Sequence, residues 1–142
     1  MAETIPFIVA ANDPGLTSEV VQFPGKAGNV RAYLSRPKDG KNSGTVIVIH
    51  ENRGLVDHIQ DVARRFAKDG FATLAVDLLA RSGGTDQYKT PEEGIAAIGK
   101  LAKDGVEEDL HSAVAYLKKQ SFFNGKIGVV GYCWGGGQSL NF

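Results

Sequence analysis

Gly131-Tyr132-Cys133-Trp134-Gly135 sits where an apolar run, "KIGVVGY", gives way to a glycine-rich segment, "CWGGGQSLNF". A nucleophile between glycines two residues to either side, mounted on a strand-to-helix turn, is a nucleophile elbow, here with Cys where Ser is commoner. The spacing has a physical reason. The turn is sharp, so the flanking glycines make room for it. The helix behind it offers unpaired N–H groups and a positive dipole end. Those favour thiolate and can hold an oxyanion. The N–H of Trp134 is the expected donor. Cys133 is the only cysteine. A lone cysteine is more often a small buried apolar residue, but the strand–helix setting favours the nucleophile.

A second constellation, His50-Glu51-Asn52-Arg53-Gly54, follows the apolar run "TVIVI" (Thr45–Ile49). In open α/β sheets the site lies outside the carboxyl ends of the strands, so this loop and Cys133 are expected to face one crevice. A loop in this position lends the second oxyanion N–H in elbow enzymes, and Asn52 is the candidate. Glu51 is placed to meet the thiol, where a carboxyl would hold it protonated until substrate intervenes. Arg53 is a candidate substrate-binding residue. The plainer alternative for Glu51 and Arg53 is a surface turn with a local ion pair.

These residues need strands and helices to place them. "SEVVQFPGKAGNVRAYLSRP" reads as two strands joined by a glycine turn. Val30, Ala32 and Leu34 alternate with Arg31, Tyr33 and Ser35, the period of a half-exposed strand. "TVIVI", "FATLAVD" (Phe71–Asp77) and "KIGVVGY" (Lys126–Tyr132) read as strands buried on both faces. Ile59, Val62, Ala63, Phe66 and Ala67 form one helical face, with Gly70 as its stop. A polar loop follows Asp77. Thr90, Pro91 and Glu93 spell a capped helix start, weakened inside by Gly94 and Gly99. Gly105 reads as punctuation before a helix carrying Val106, Leu110, Ala113, Val114 and Leu117. The alternation of strands and helices predicts one α/β domain over residues 1–142. Its sheet is mostly parallel, with an N-terminal antiparallel hairpin and helices on both faces. The strand before Cys133 would leave a bare edge.

Composition narrows the function classes. The 142 residues carry 16 basic and 16 acidic side chains, net charge zero, with no long basic block, so nucleic acid is not an expected partner. No apolar run is long enough to span a membrane. The stretch Ile5–Ala11 has no basic segment before it, so no signal peptide is read. The protein is expected in the cytoplasm, or in the periplasm if a signal peptide was removed upstream. No phosphate loop, dinucleotide fingerprint or zinc spacing appears, so no metal or other cofactor is expected.

The motifs "VIVIHENRGL", "GFATLAVDLLARSGG" and "GKIGVVGYCWGGG", in this order, resemble the dienelactone hydrolases (carboxymethylenebutenolidases) of the α/β-hydrolase superfamily, from about Ser18 onward. The resemblance implies hydrolysis of an ester or lactone, with a carboxylate-bearing substrate among the candidates, through a thioester on Cys133. Glu51 would contact the resting thiol and help to release thiolate, with Trp134 and Asn52 as the oxyanion pair. Arg81 is similar to the family's substrate-carboxylate arginine, the alternative being a solvated loop residue. The family completes a Cys–Asp–His triad with both partners after the nucleophile. None of the nine residues after Cys133 is Asp or His. Upstream, His111 reads as a helix-flank residue, His58 as a solvated first-turn residue and His50 as shaping the oxyanion loop. The chain is therefore expected to be the N-terminal part of an α/β-hydrolase domain, inactive alone, its fold completed by a C-terminal segment or a second chain. The alternatives are a glutamine amidotransferase-like Cys enzyme, with Gln138 one residue farther from Cys133 than expected there, or a non-catalytic complementing fragment.

Overall fold

The computed structural model describes residues 7–142; Glu3 and the start of the Ile5–Ala11 stretch lie outside them. One five-stranded sheet runs in the order β1-β2-β4-β3-β5. Strands β1 (Leu16–Gly25) and β2 (Gly28–Pro37) form the antiparallel hairpin. The central strand β3 (Thr45–Ile49) lies parallel to both β4 (Ala72–Asp77) and β5 (Ile127–Gly131), and β2 joins β4 antiparallel. Helix α1 (Asp57–Lys68) covers one face through Ile59, Val62 and Ala63 against Tyr33, Val48 and Ala75. Helix α3 (Lys103–Lys118) covers the other through Val106, Leu110, Ala113 and Leu117 against Leu34, Ile47, Ile49 and Leu74. Helix α2 (Pro91–Gly99) precedes α3, and α4 (Trp134–Asn141) follows β5. No helix among the described residues is long and apolar enough to cross a membrane.

The local signals act as their chemistry demands. Gly70 (φ +100) ends α1: its N–H bonds Ala67 and the next N–H, of Phe71, reaches back to Phe66. The Phe66 and Phe71 rings then meet edge-on at 6.4 Å, which completes a Schellman stop with its apolar contact. Thr90 and Glu93 close a reciprocal capping box on α2, with Pro91 at the first helical position.

Three expectations change. Strand β2 is not half-exposed: Tyr33 and Ser35 are buried as well, because β2 lies inside the sheet and α1 roofs its second face. Their hydroxyls are satisfied by Arg64 Nη1 at 3.0 Å and by Ser18 Oγ at 2.8 Å. Gly105 does not punctuate but lies in the first turn of α3, where an added Cβ would stand 3.3 Å from Arg81 Nη1. Strand β5 is not buried on both faces; it is the sheet edge, and Gly128 and Val129 are exposed.

This topology sets the site. The chain leaves β3 for α1 on one face and leaves β5 for α4 on the other. The two carboxyl ends thus splay apart at a topological switch point, where α/β sheets place ligands.

Candidate active site

Cys133 has φ 53° and ψ −115°, the only non-glycine residue with positive φ among those described. Such a conformation costs about 1–3 kcal/mol and persists only where the surroundings over-determine it. Here they do. The Tyr132 N–H bonds the Ile49 carbonyl at 3.2 Å, tying the elbow to the end of β3. Gly135 and Gly136 donate to Tyr132 and Cys133 carbonyls at 2.8 and 3.0 Å, which winds the turn directly into α4. A Cβ on Gly131 would collide with the Gly135 backbone, and a Cβ on Gly135 with the carbonyl oxygens of Ile49 and His50. The two flanking glycines are therefore required sterically, and α4 rests directly on the end of β3.

Cys133 is exposed and caps α4, and Trp134 is the first helical residue. Among the described residues the Trp134 N–H has no acceptor, as helix geometry dictates for a first position. In the facing loop the Asn52 N–H also has none. Ile49 pairs in register with Gly131, so the loops carrying Glu51–Asn52 and Cys133–Trp134 leave the sheet side by side. Glu51 and Asn52 are half-buried and Arg53 is exposed. Glu51 and Arg53 form no ion pair among the described residues, which removes the local pair as an account of them.

The support beneath this loop was only partly visible in the sequence. His50 is wholly buried. Its Nδ1 bonds the Glu51 carbonyl at 2.8 Å, its Nε2 meets the Leu78 N–H at 3.1 Å, and its ring stacks on Trp134 at 5.7 Å. Burial pushes its pKa below the ordinary value, against the pull of the Glu51 carbonyl and of Asp77. Asp77, buried at the end of β4, accepts from the Thr85 N–H, the Thr85 hydroxyl and the Leu79 N–H at 2.9, 2.7 and 3.1 Å. The Thr85 hydroxyl in turn accepts the Leu55 N–H at 2.8 Å. An acid closing the otherwise apolar "FATLAVD" is the signal that could have marked Asp77 as a hub.

Arg81 stands apart from this cluster. Its Nε and Nη2 hold both Asp109 oxygens at 3.0 and 2.9 Å, and Nη2 also reaches Glu108 at 2.9 Å. The Asp109 and Glu108 carboxylates raise its pKa further. Those bonds leave Nη1, which lies against Gly105, as the guanidinium nitrogen with no acceptor among the described residues. Arg53 lines a 110 Å³ cleft with Val56, Thr85, Tyr88 and Pro91. A 690 Å³ cleft lies between the loop after β4 and α2, lined by residues including Ser82, Tyr88, Glu93 and Lys100 but not by Cys133. His58 and His111 are exposed, and the His111 ring lies against Phe142.

Residues 30–142 match the model of the dienelactone hydrolase family. The chain belongs to that family. A Methylorubrum extorquens protein assigned by name as a carboxymethylenebutenolidase is 33% identical over 130 residues, covering 90% of this chain and 45% of that protein. An Escherichia coli protein named as a hydrolase fragment is 44% identical over 79 residues, covering 54% of this chain and 68% of its own length. Among solved structures, a dienelactone hydrolase-like promiscuous phosphotriesterase from metagenomic libraries superposes with a TM-score of 0.70 at 26% identity, covering 89% of this chain and 53% of that one. The chain thus spans about half the length of most of these dienelactone hydrolase relatives. Its mixed sheet is that of an α/β hydrolase, and membership of this family displaces the amidotransferase reading.

Proposed function

We propose that Cys133 is the nucleophile of a carboxylic-ester or lactone hydrolase. The observation that carries this reading is the backbone of Cys133, held at φ 53° between two glycines that tolerate no side chain. In the proposed step Glu51 takes the thiol proton as substrate binds, and the thiolate sulfur attacks the ester carbonyl. The carbonyl π pair moves onto oxygen, where the N–H groups of Trp134 and Asn52 receive it. Collapse re-forms the C=O bond, breaks the C–O bond to the leaving alkoxide, which takes the proton that Glu51 holds, and leaves a thioester on Cys133. Water then divides the thioester into carboxylic acid and thiol. Arg53, exposed at the loop, is the proposed contact for a carboxylate-bearing substrate.

Hydrolysing the thioester calls for a base within hydrogen-bond reach of the attacking water. His50 has both ring nitrogens engaged, and His58 and His111 are exposed on helices. The base is therefore proposed to come from polypeptide outside these 142 residues, on a C-terminal segment or a second chain. The 142-residue chain is expected to acylate once and stop. p-Nitrophenyl acetate should release close to one equivalent of nitrophenolate, with the acetyl group found by peptide mass spectrometry on Cys133. An undiminished burst from Cys133→Ala would end the assignment, and sustained turnover by the chain alone would end the proposal of an external base.

A further inference from the structure

His50 makes contacts that the reaction scheme does not use. The Leu78 N–H can only donate and the Glu51 carbonyl can only accept. Nε2 must therefore carry the lone pair and Nδ1 the proton, which fixes one neutral tautomer. The bond to Glu51 has a consequence one atom pair away. A trans peptide is planar with its N–H antiparallel to its C=O, and no cis peptide is present among the described residues. Drawing the Glu51 carbonyl toward the imidazole turns the Asn52 N–H away from it. A flip of that peptide would put a carbonyl oxygen where the donor now stands. The same ring lies nearly parallel to the Trp134 indole, 14° apart in plane, next to the other candidate donor.

We propose that His50 is the positioning residue of the oxyanion site. It is a neutral imidazole, anchored by the Leu78 N–H, that sets the direction of the Asn52 N–H and braces Trp134. This rests on the reading of Cys133 as an acyl acceptor. It also explains why a polar ring with no exposure stands between the apolar Ile49 and the loop: an apolar residue would leave the Leu78 N–H without its partner and the Glu51 carbonyl with only the long bond from the Gly54 N–H, 3.5 Å against 2.8 Å to His50.

The test compares two reactions of Cys133 in the purified 142-residue chain. Acylation by p-nitrophenyl acetate passes through an oxyanion; alkylation by iodoacetamide, at a saturated carbon, does not. His50→Leu should slow acylation by on the order of 10²-fold, the scale of losing one oxyanion donor, and leave alkylation within about twofold. His50→Gln, whose amide both donates and accepts, should recover most of the acylation rate. An equal fall in both reactions, or no fall in either, overturns the proposal. A second measurement does not depend on the variants folding. In the unaltered chain, ¹⁵N resonances of the imidazole at pH 7 should show a protonated Nδ1 and an unprotonated Nε2, and a protonated Nε2 overturns the proposal. Alkylation without acylation in the unaltered chain would bring down the Cys133 reading and this proposal together. A ratio unaffected by His50 would bring down this one alone.

Discussion

Gly135 and Gly137 lie two residues apart in one glycine triplet, yet alanine should act on them in opposite directions. At Gly135 the added Cβ would overlap the carbonyl oxygens of Ile49 and His50 and stand 2.9 Å from the Ile49 carbonyl carbon. Ordinary contact begins near 3.4 Å, so α4 must retreat by at least about half an ångström, since strand-end backbone cannot yield. Overpacking of this kind costs about 1–3 kcal/mol, and about 2 kcal/mol is expected here. The retreat carries Cys133 and the Trp134 N–H away from the facing loop. A misplacement approaching 1 Å costs on the order of 10²-fold in rate, so acylation by p-nitrophenyl acetate should fall by about that factor. At Gly137 an added Cβ meets nothing within 4 Å. There alanine should raise stability by roughly 0.5–1 kcal/mol through helix propensity alone and leave acylation unchanged. Urea unfolding midpoints and burst rates for the two variants are the assay. Equal stability changes, or a Gly135→Ala chain acylated at the parental rate, would refute the claim that direct backbone contact between α4 and β3 shapes the elbow.

Two further outcomes follow from buried charge. Arg81→Gln strips the cationic partner from Asp109, whose side chain is 3% exposed while that of Arg81 is 27% exposed. The cost should fall between surface and fully buried pairs, about 2 kcal/mol by urea unfolding. Acylation by anionic and neutral esters should keep its ratio; a loss selective for the anionic ester would return Arg81 to carboxylate binding. The second outcome concerns pH. His50 is depressed by burial, with Asp77 the charged group that opposes the shift. Below its ordinary value of about 6.5 the unfolded chain takes up a proton that the folded chain refuses. Stability should therefore fall as pH drops from about 7 through 6.5 toward the folded-state value, by at most about 1.4 kcal/mol per pH unit from this group. His50→Gln should lack this component, and identical pH slopes in the two chains would sink it.

The parts legible in the sequence are those whose constraints are local. The turn needs small residues two positions from Cys133 because the collision is between Gly131 and the Gly135 backbone, four residues on. The capping box of α2 and the glycine stop of α1 are also contacts within a few residues. What stayed hidden depends on partners far along the chain. Tyr33 and Ser35 read as exposed because alternation says nothing of a helix roofing the second face, or of Arg64 and Ser18 arriving to satisfy the hydroxyls. Gly105 read as a break because the need for it is the Arg81 side chain lying against it. Strand β5 read as buried because apolar residues do not say whether a neighbour stands beside them.

The same division separates the two halves of the proposed site. The proposed nucleophile and both candidate oxyanion donors lie on two loops that leave adjacent parallel strands in register, Ile49 beside Gly131. Once the two apolar runs are known to pair, their juxtaposition follows. Their orientation does not follow from that pairing. It depends on His50 reaching Leu78 on β4's side and on Asp77 reaching Leu55 through Thr85. These buried polar bonds join the β3 and β4 loops from beneath, and a group in that setting is costly to leave unpaired. A substitution in this layer should therefore change the direction of an N–H without touching Cys133. On the proposed reading, control of oxyanion geometry falls to His50, a residue with no contact to the reacting carbonyl, and Asp77 braces the neighbouring loop through Thr85.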